Sequence, residues 1–230
     1  MTRAVYAFKP YNVGRWLVWG FFALVLVLAP LVFKSNLSHS MLSQMGVAII
    51  ACLAYNLLLG QGGMLSFGHA VYTGLGGYLA MHALNAVSAG TLALPVSLVP
   101  LVGGAGGLFF ACLLGYVTTR KSGTTFAMIT LGMAELVSAM SLMFSEFFGG
   151  EAGVSGNRVA GQSFLGITFG PQIQVYYLIA AYTYVCVALL FAFTRTPLGR
   201  MLNAVRDNPE RVEFIGYNTQ HVRYLAFLVA

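Results

Sequence analysis

Groups able to carry proton, metal or thiol chemistry are few in this sequence: six acids, four histidines and three cysteines in 230 residues. Glu135 is the only acid well inside an apolar run, Thr124–Phe148, with Glu146 near the end of that run. Burying an ionisable group at such a position costs about 2.5–3.5 kcal/mol on insertion scales, which makes it a functional candidate by default. Two roles stay open for Glu135: a hydrogen-bonded or protonated side chain pinning two helices, or a lining residue of a solute path or gate. His69 and His82 are thirteen positions apart, not the i, i+4 spacing of a helical metal pair, so no metal site is expected. Cys52, Cys112 and Cys186 each sit in a separate apolar run, where a thiol behaves as a small hydrophobe. Three of the six acids fall in one loop, and no Ser-His-Asp set or carboxylate pair can be assembled from the rest. There is no GxxxxGK[ST] phosphate loop, since Lys121-Ser122 follows Arg120 rather than Gly. The sequence therefore gives no support to an enzyme, and no cofactor is expected on this chain.

The elements that would position these groups are apolar helices. Only 8% of residues are charged and 58% are apolar, against about 25% charged in a soluble domain. So few charges cannot hydrate the surface of a soluble enzyme. The net charge of +6 is spread between apolar runs rather than gathered on a polar face, which excludes a nucleic-acid binder. Spanning the hydrocarbon takes about 20 apolar residues, and six stretches are read as crossings: Trp16–Phe33, Met41–Gly60, Met64–Leu84, Leu92–Thr119, Thr124–Phe148 and Gln172–Thr194. Pro95 and Pro100 should delay the fourth helix to Val96–Leu101. A seventh starts at Tyr224 and stops at Ala230, so the chain reads as cut short at its C-terminus. The first run is longer than a signal-peptide core and lacks a small-residue cleavage site, so it reads as an uncleaved anchor.

Orientation follows from Lys and Arg in the connections. With all six runs crossing, ten basic residues collect on the side of the N-terminus (Arg3, Lys9, Arg15) and of the 195–223 loop, and two on the other. The expected fold is thus an all-α, polytopic bundle, residues 1–230 forming one membrane domain with its N-terminus in the cytoplasm.

Within the spans, Gly103, Gly107, Ala111 and Gly115 recur every fourth residue and form a stripe suited to close helix packing. Gly60, Gly62 and Gly63 make a continuous helix unfavourable there. Asn56, Gln61, Ser66 and His69 flank that break. Either it is a capped inter-helix turn, or its freed polar groups border a solute path, because polar backbone at membrane depth needs protein or a watery cavity beside it. The candidate pathway residues are Asn56, Gln61, His69 and Glu135.

Residues 195–223 differ from everything else. Thr196-Pro197 is an N-cap followed by proline at the first helical position, and Asn208-Pro209 repeats the pattern with Glu210 in the first turn. Gly216 provides a C-terminal stop, with Tyr217 available for the accompanying apolar contact. Two short helices are predicted, with Leu198, Met201, Leu202 and Val205, then Val212 and Ile215, on an apolar face. So much capping suggests a rigid element that docks another protein; the alternative is a helix lying in the lipid interface.

Three runs, GQGGMLSFGHAVYTGLGGY, GTTFAMITLGMAELV and PLGRMLNAVRDNPERVEFIGYNTQHVRYLAF, resemble the membrane permeases of branched-chain amino acid ABC importers, and the match covers nearly all of residues 41–230 in order. The third run is the most specific. By resemblance it is the loop that contacts the transporter's ATPase, with Pro197, Gly199, Arg200, Arg206, Asp207, Asn208, Pro209 and Gly216 in it. The resemblance implies a bacterial inner-membrane protein with a homologous second permease, two cytoplasmic ATPase subunits that hold ATP and Mg, and a periplasmic binding protein. Urea and short-amide permeases belong to the same subfamily. From other classes come a proton-coupled secondary carrier using Glu135 and a purely structural scaffold.

Overall fold

The computed structural model describes residues 13–159 and 169–230. Arg3 and Lys9, which weigh in the orientation argument, lie outside the described residues. The order is α1 (Val13–Val32), α2 (Asn36–Asn56) continued by a π-helical turn (Leu57–Gln61), α3 (His69–Ser88), a 3₁₀ turn (Val96–Leu98) leading into α4 (Val99–Thr118), α5 (Gly123–Met143), the short α6 (Ser145–Phe148), α7 (Gln172–Arg195), α8 (Pro197–Asp207), α9 (Pro209–Phe214) and α10 (Thr219–Val229). No strand occurs among the described residues.

Among the described residues, five helices are long and apolar enough to cross a membrane: α1, α2 with its π-turn, α4 with its 3₁₀ lead-in, α5 and α7. The run Met64–Leu84 gives a 20-residue helix, but it starts five residues later, at His69, and ends at Ser88. It falls outside those five because Tyr72, Thr73, His82 and Asn85 dilute its apolar character. Helix continues through Gly60, as a π-turn, and the break falls at Gly62–Gly68. The run Thr124–Phe148 is divided, with α5 ending at Met143 and α6 following from Ser145.

Two helix seams organise the bundle. Helices α3 and α4 approach backbone to backbone: a Cβ on Gly76 would lie 2.6 Å from the Gly103 carbonyl oxygen, and one on Gly107 3.2 Å from that of Tyr72. Helix α2 meets α7 where a Cβ on Gly46 would lie 3.0 Å from Thr183 Oγ1. Without a hydrophobic drive between helices in lipid, such small-residue contacts supply the packing. Helix α1 lies on α7 through Trp19 and Phe22 against Tyr184, and Tyr176 donates a hydrogen bond to the Leu26 carbonyl at 2.8 Å.

Much apolar surface on α1, α4 and α5 faces outward, as lipid or a partner helix requires. The largest buried cluster instead lies where the helix break, α5, α8, α9 and α10 converge. Leu57, Leu58, Met64, Phe126, Leu202, Val205, Val212, Ala226 and Phe227 form it.

Candidate functional site

The 195–223 loop folds as its capping residues predict. Thr196 Oγ1 accepts from the Gly199 amide at 3.2 Å and donates to the Phe193 carbonyl at 2.6 Å, so it closes α7 and opens α8 together. Pro197 is the first residue of α8, where its missing N–H costs nothing. Gly199 packs against the end of α7, since a Cβ there would meet the Phe193 carbonyl oxygen at 2.5 Å. Asn208 Oδ1 accepts from the Arg211 amide at 3.1 Å and Pro209 opens α9. At Gly216 the backbone turns left-handed (φ 93°), while its amide bonds Glu213 O at 2.9 Å and that of Tyr217 bonds Val212 O at 3.2 Å. These two bonds together make a Schellman stop. A third cap went unread in the sequence: Asn218 Oδ1 accepts from the His221 amide at 3.2 Å and starts α10. The signal was present in Asn218-Thr219, but the assignment of residues 195–223 to one loop hid it.

The apolar face of α8 and α9 points into the protein. Leu202, Val205 and Val212 are buried in the main cluster, with Leu198 and Met201 packed on it. Ile215 does not join them; it is 73% exposed, and Phe214 is 90% exposed. The reason is geometric. Helix α9 ends at Phe214, and only Val212 reaches the core before Gly216 turns the chain away. Phe214, Ile215 and the half-exposed Tyr217 therefore form an apolar tip, bordered by exposed Arg211. Arg200 and Asp207 are also exposed. Arg206 faces inward as well as outward: its Nε pairs with Asp207 at 2.9 Å, while Nη1 donates to the Gly60 carbonyl.

The four candidate pathway residues separate into three locations. Asn56 and Gln61 line a cavity of ≈ 360 Å³ with Trp19, Leu53, Val187 and Phe191. The buried Gln61 Oε1 has no hydrogen-bond partner among the described residues. His69 lines a second cavity, ≈ 550 Å³, between α3, α4 and the end of α10, together with Tyr72, Thr73, Gly103, Gly107 and Phe227. Its Nδ1 is likewise unpartnered. Glu135 borders neither cavity and sits on the exposed face of α5 with Met128, Gly132 and Leu142. His82 is far from His69 in role, its Nε2 lying 2.7 Å from the Phe147 carbonyl oxygen, and no cluster of three or more metal-ligating side chains occurs among the described residues. In the glycine stripe, Gly103 and Gly107 meet α3. Gly115 instead meets α10, where a Cβ would lie 2.7 Å from the Phe227 ring; Ala111 is buried between them.

Comparisons with known proteins identify relatives of this chain. The family described as branched-chain amino acid transport system, permease component, matches residues 38–230. The high-affinity branched-chain amino acid transport system permease protein LivM of Salmonella typhimurium is 26% identical over 205 residues, covering 80% of this chain and 47% of the relative. LivM of Escherichia coli is 26% identical over 206 residues with the same coverage. The chain thus spans about half the length of these curated relatives. No solved structure gives a significant match. With several apolar helices of crossing length and a family match over most of its residues, this multi-pass membrane chain belongs to the permease family of branched-chain amino acid ABC transport systems.

Proposed function

We propose that this chain is the membrane-spanning permease subunit of an ATP-driven importer for branched-chain or related neutral amino acids. It acts in the bacterial inner membrane beside a homologous second permease, takes solute from a periplasmic binding protein, and is driven by two cytoplasmic ATPase subunits that bind ATP and Mg. The observation that carries this reading is the pair α8–α9. Three side-chain or backbone caps hold it rigid, its inner face is anchored in the core, and its outer end offers Phe214, Ile215 and Tyr217. An apolar anchor beside an arginine, on a rigid support, is the composition of a protein-docking hot spot. A helix lying in the lipid interface would instead present its apolar stripe to the lipid, and here that stripe is buried in the protein.

The membrane arrangement we infer has six crossings and an interior N-terminus. Helix α3 runs antiparallel along α4, with Tyr72 beside Gly107 and Ala80 beside Gly103, so it traverses the same depth as a neighbour that crosses. His69, Tyr72 and Thr73 then sit on a cavity between crossing helices, a location suited to an amino acid with an apolar side chain and a polar head. Cavities of about 300–1,000 Å³ with few polar groups are typical small-molecule sites.

The test is uptake of radiolabelled leucine by proteoliposomes holding this chain with its permease, ATPase and binding-protein partners, with leucine and urea as competitors. ATP-dependent uptake suppressed by leucine but not urea supports the reading. Phe214→Asp with Ile215→Asp should detach the ATPase subunits. Uptake driven by a proton gradient without ATP, or retained ATPase binding in the double variant, rejects it.

A further inference from the structure

The basic side chain nearest the helix break has a task that loop membership alone does not give it. Three amides follow Gly60 in the turn: Gly62 bonds Leu57 O, Gly63 bonds Leu59 O and Met64 bonds Leu58 O. None of them reaches Gly60, so its carbonyl is one of the orphans every helix end leaves. A helix end of this kind takes a cap, a side chain or water as its partner, and a charged donor makes the strongest of these bonds. Arg206, 146 residues later on α8, supplies it through Nη1. Its aliphatic stem lies across Gly63, whose Cβ would be 2.8 Å from Arg206 Cγ and 3.7 Å from Arg206 Cβ. One turn back on α8, Leu202 touches the same segment, 3.3 Å from where a Gly62 Cβ would be.

The far end of the break is tied elsewhere. The Phe67 amide donates to Thr130 Oγ1 of α5 at 3.2 Å, and Gly68 is pressed on the Thr130 carbonyl. The next residue, His69, opens α3 and lines the ≈ 550 Å³ cavity. A continuous covalent and hydrogen-bonded path therefore runs from α8, through Arg206 and the π-turn, to the cavity wall.

We propose that Arg206 is a positioning residue that fastens α8 to the helix break, so that displacement of α8–α9 moves the break and with it the α3 wall, and that Arg206 does not itself touch the ATPase. The proposal rests on the importer reading above. A π-turn suits this use, since it is a locally weakened stretch of helix often found at functional sites. Arginine suits it too: its planar fork holds Asp207 and Gly60 at once, which a lysine ammonium on a flexible stem does less well.

The experiment compares Arg206→Met, Arg206→Lys and the pair Gly63→Cys/Arg206→Cys in the assembled importer, in a background without Cys52, Cys112 and Cys186. A Cβ added at Gly63 would lie 3.7 Å from that of Arg206, within the disulfide range of about 3.5–4.5 Å, so mild oxidation should join the pair. Arg206→Met should lower ATP-dependent leucine uptake at least tenfold while the ATPase subunits still co-purify, with Arg206→Lys between it and the parent. Oxidation of the pair should raise uptake at least fivefold over the same protein reduced, and renewed reduction should remove the gain, a reversal that a merely structural arginine would not give. Undiminished uptake in Arg206→Met, loss of the ATPase subunits from it, failure of the disulfide to form, or a disulfide without recovery would each overturn the proposal. Absence of leucine uptake in the unsubstituted assembly counts against the importer reading instead, and the disulfide yield still reports on the contact.

Discussion

Replacing Gly76 by alanine should loosen the bundle, although alanine is the better helix former. At Gly76 a Cβ would sit 2.6 Å from the Gly103 carbonyl oxygen and 3.3 Å from the Gly107 amide nitrogen, with ordinary contact beginning at 3.4 Å. Both neighbours are backbone atoms of α4 and cannot rotate away, so α3 and α4 must part by several tenths of an ångström. Overpacking of this kind costs about 1–3 kcal/mol, offset by about 0.5–1 kcal/mol of helix propensity. The central net cost is about 1.25 kcal/mol, and for a chain of this size about 1 kcal/mol corresponds to about 2–4 °C in Tm, so a fall of about 3–5 °C is expected. Gly74 and Gly77 are the controls, because a Cβ at either meets nothing within 4 Å; alanine there should leave Tm unchanged or raise it slightly. Thermal melts of detergent-purified protein, followed by size-exclusion of a fluorescent fusion, would measure all three. Equal Tm for the Gly76 and Gly77 variants would refute the close-seam argument.

Loss of either side-chain cap should cost about 0.5–2 kcal/mol: Thr196→Ala and Asn208→Ala should each lower Tm by a few degrees, while Asn208→Asp should retain most of the parent's stability in the same melt. Phe214→Ala should leave Tm unchanged, because the side chain is 90% exposed, yet weaken ATPase co-purification at least fivefold. Glu135→Gln should leave the ATP dependence of uptake intact, since Glu135 borders neither cavity; conversion to a proton-gradient-insensitive protein with lost uptake would revive the carrier reading. A single cysteine at Ile215 in a cysteine-free chain expressed without its ATPase subunits should react with an impermeant maleimide in inside-out vesicles and stay unlabelled in intact spheroplasts.

What could be read from the sequence is what short-range chemistry decides. Apolar run length sets which segments can cross, and the positions of Thr196, Pro197, Asn208, Pro209 and Gly216 set where α8 and α9 begin and end, because each cap acts within four residues of itself. The stripe Gly103–Gly107 was legible for the same reason, as spacing on one helix. Its partner, Gly76, was not, because a neighbour across a seam leaves no trace in local spacing. Ile215 follows the apolar period with Val212 and is nevertheless exposed, since one and a half turns of helix reach the core only once. Glu135 invited a role in the pathway from its type and depth, but which side of α5 faces a cavity depends on where α3 and α4 lie. Arg206 looked like one more basic residue of a cytoplasmic loop. Its hold on the Gly60 carbonyl arises only when folding brings residues 146 positions apart together around an orphan helix end, a pairing set by three-dimensional packing and by no local rule.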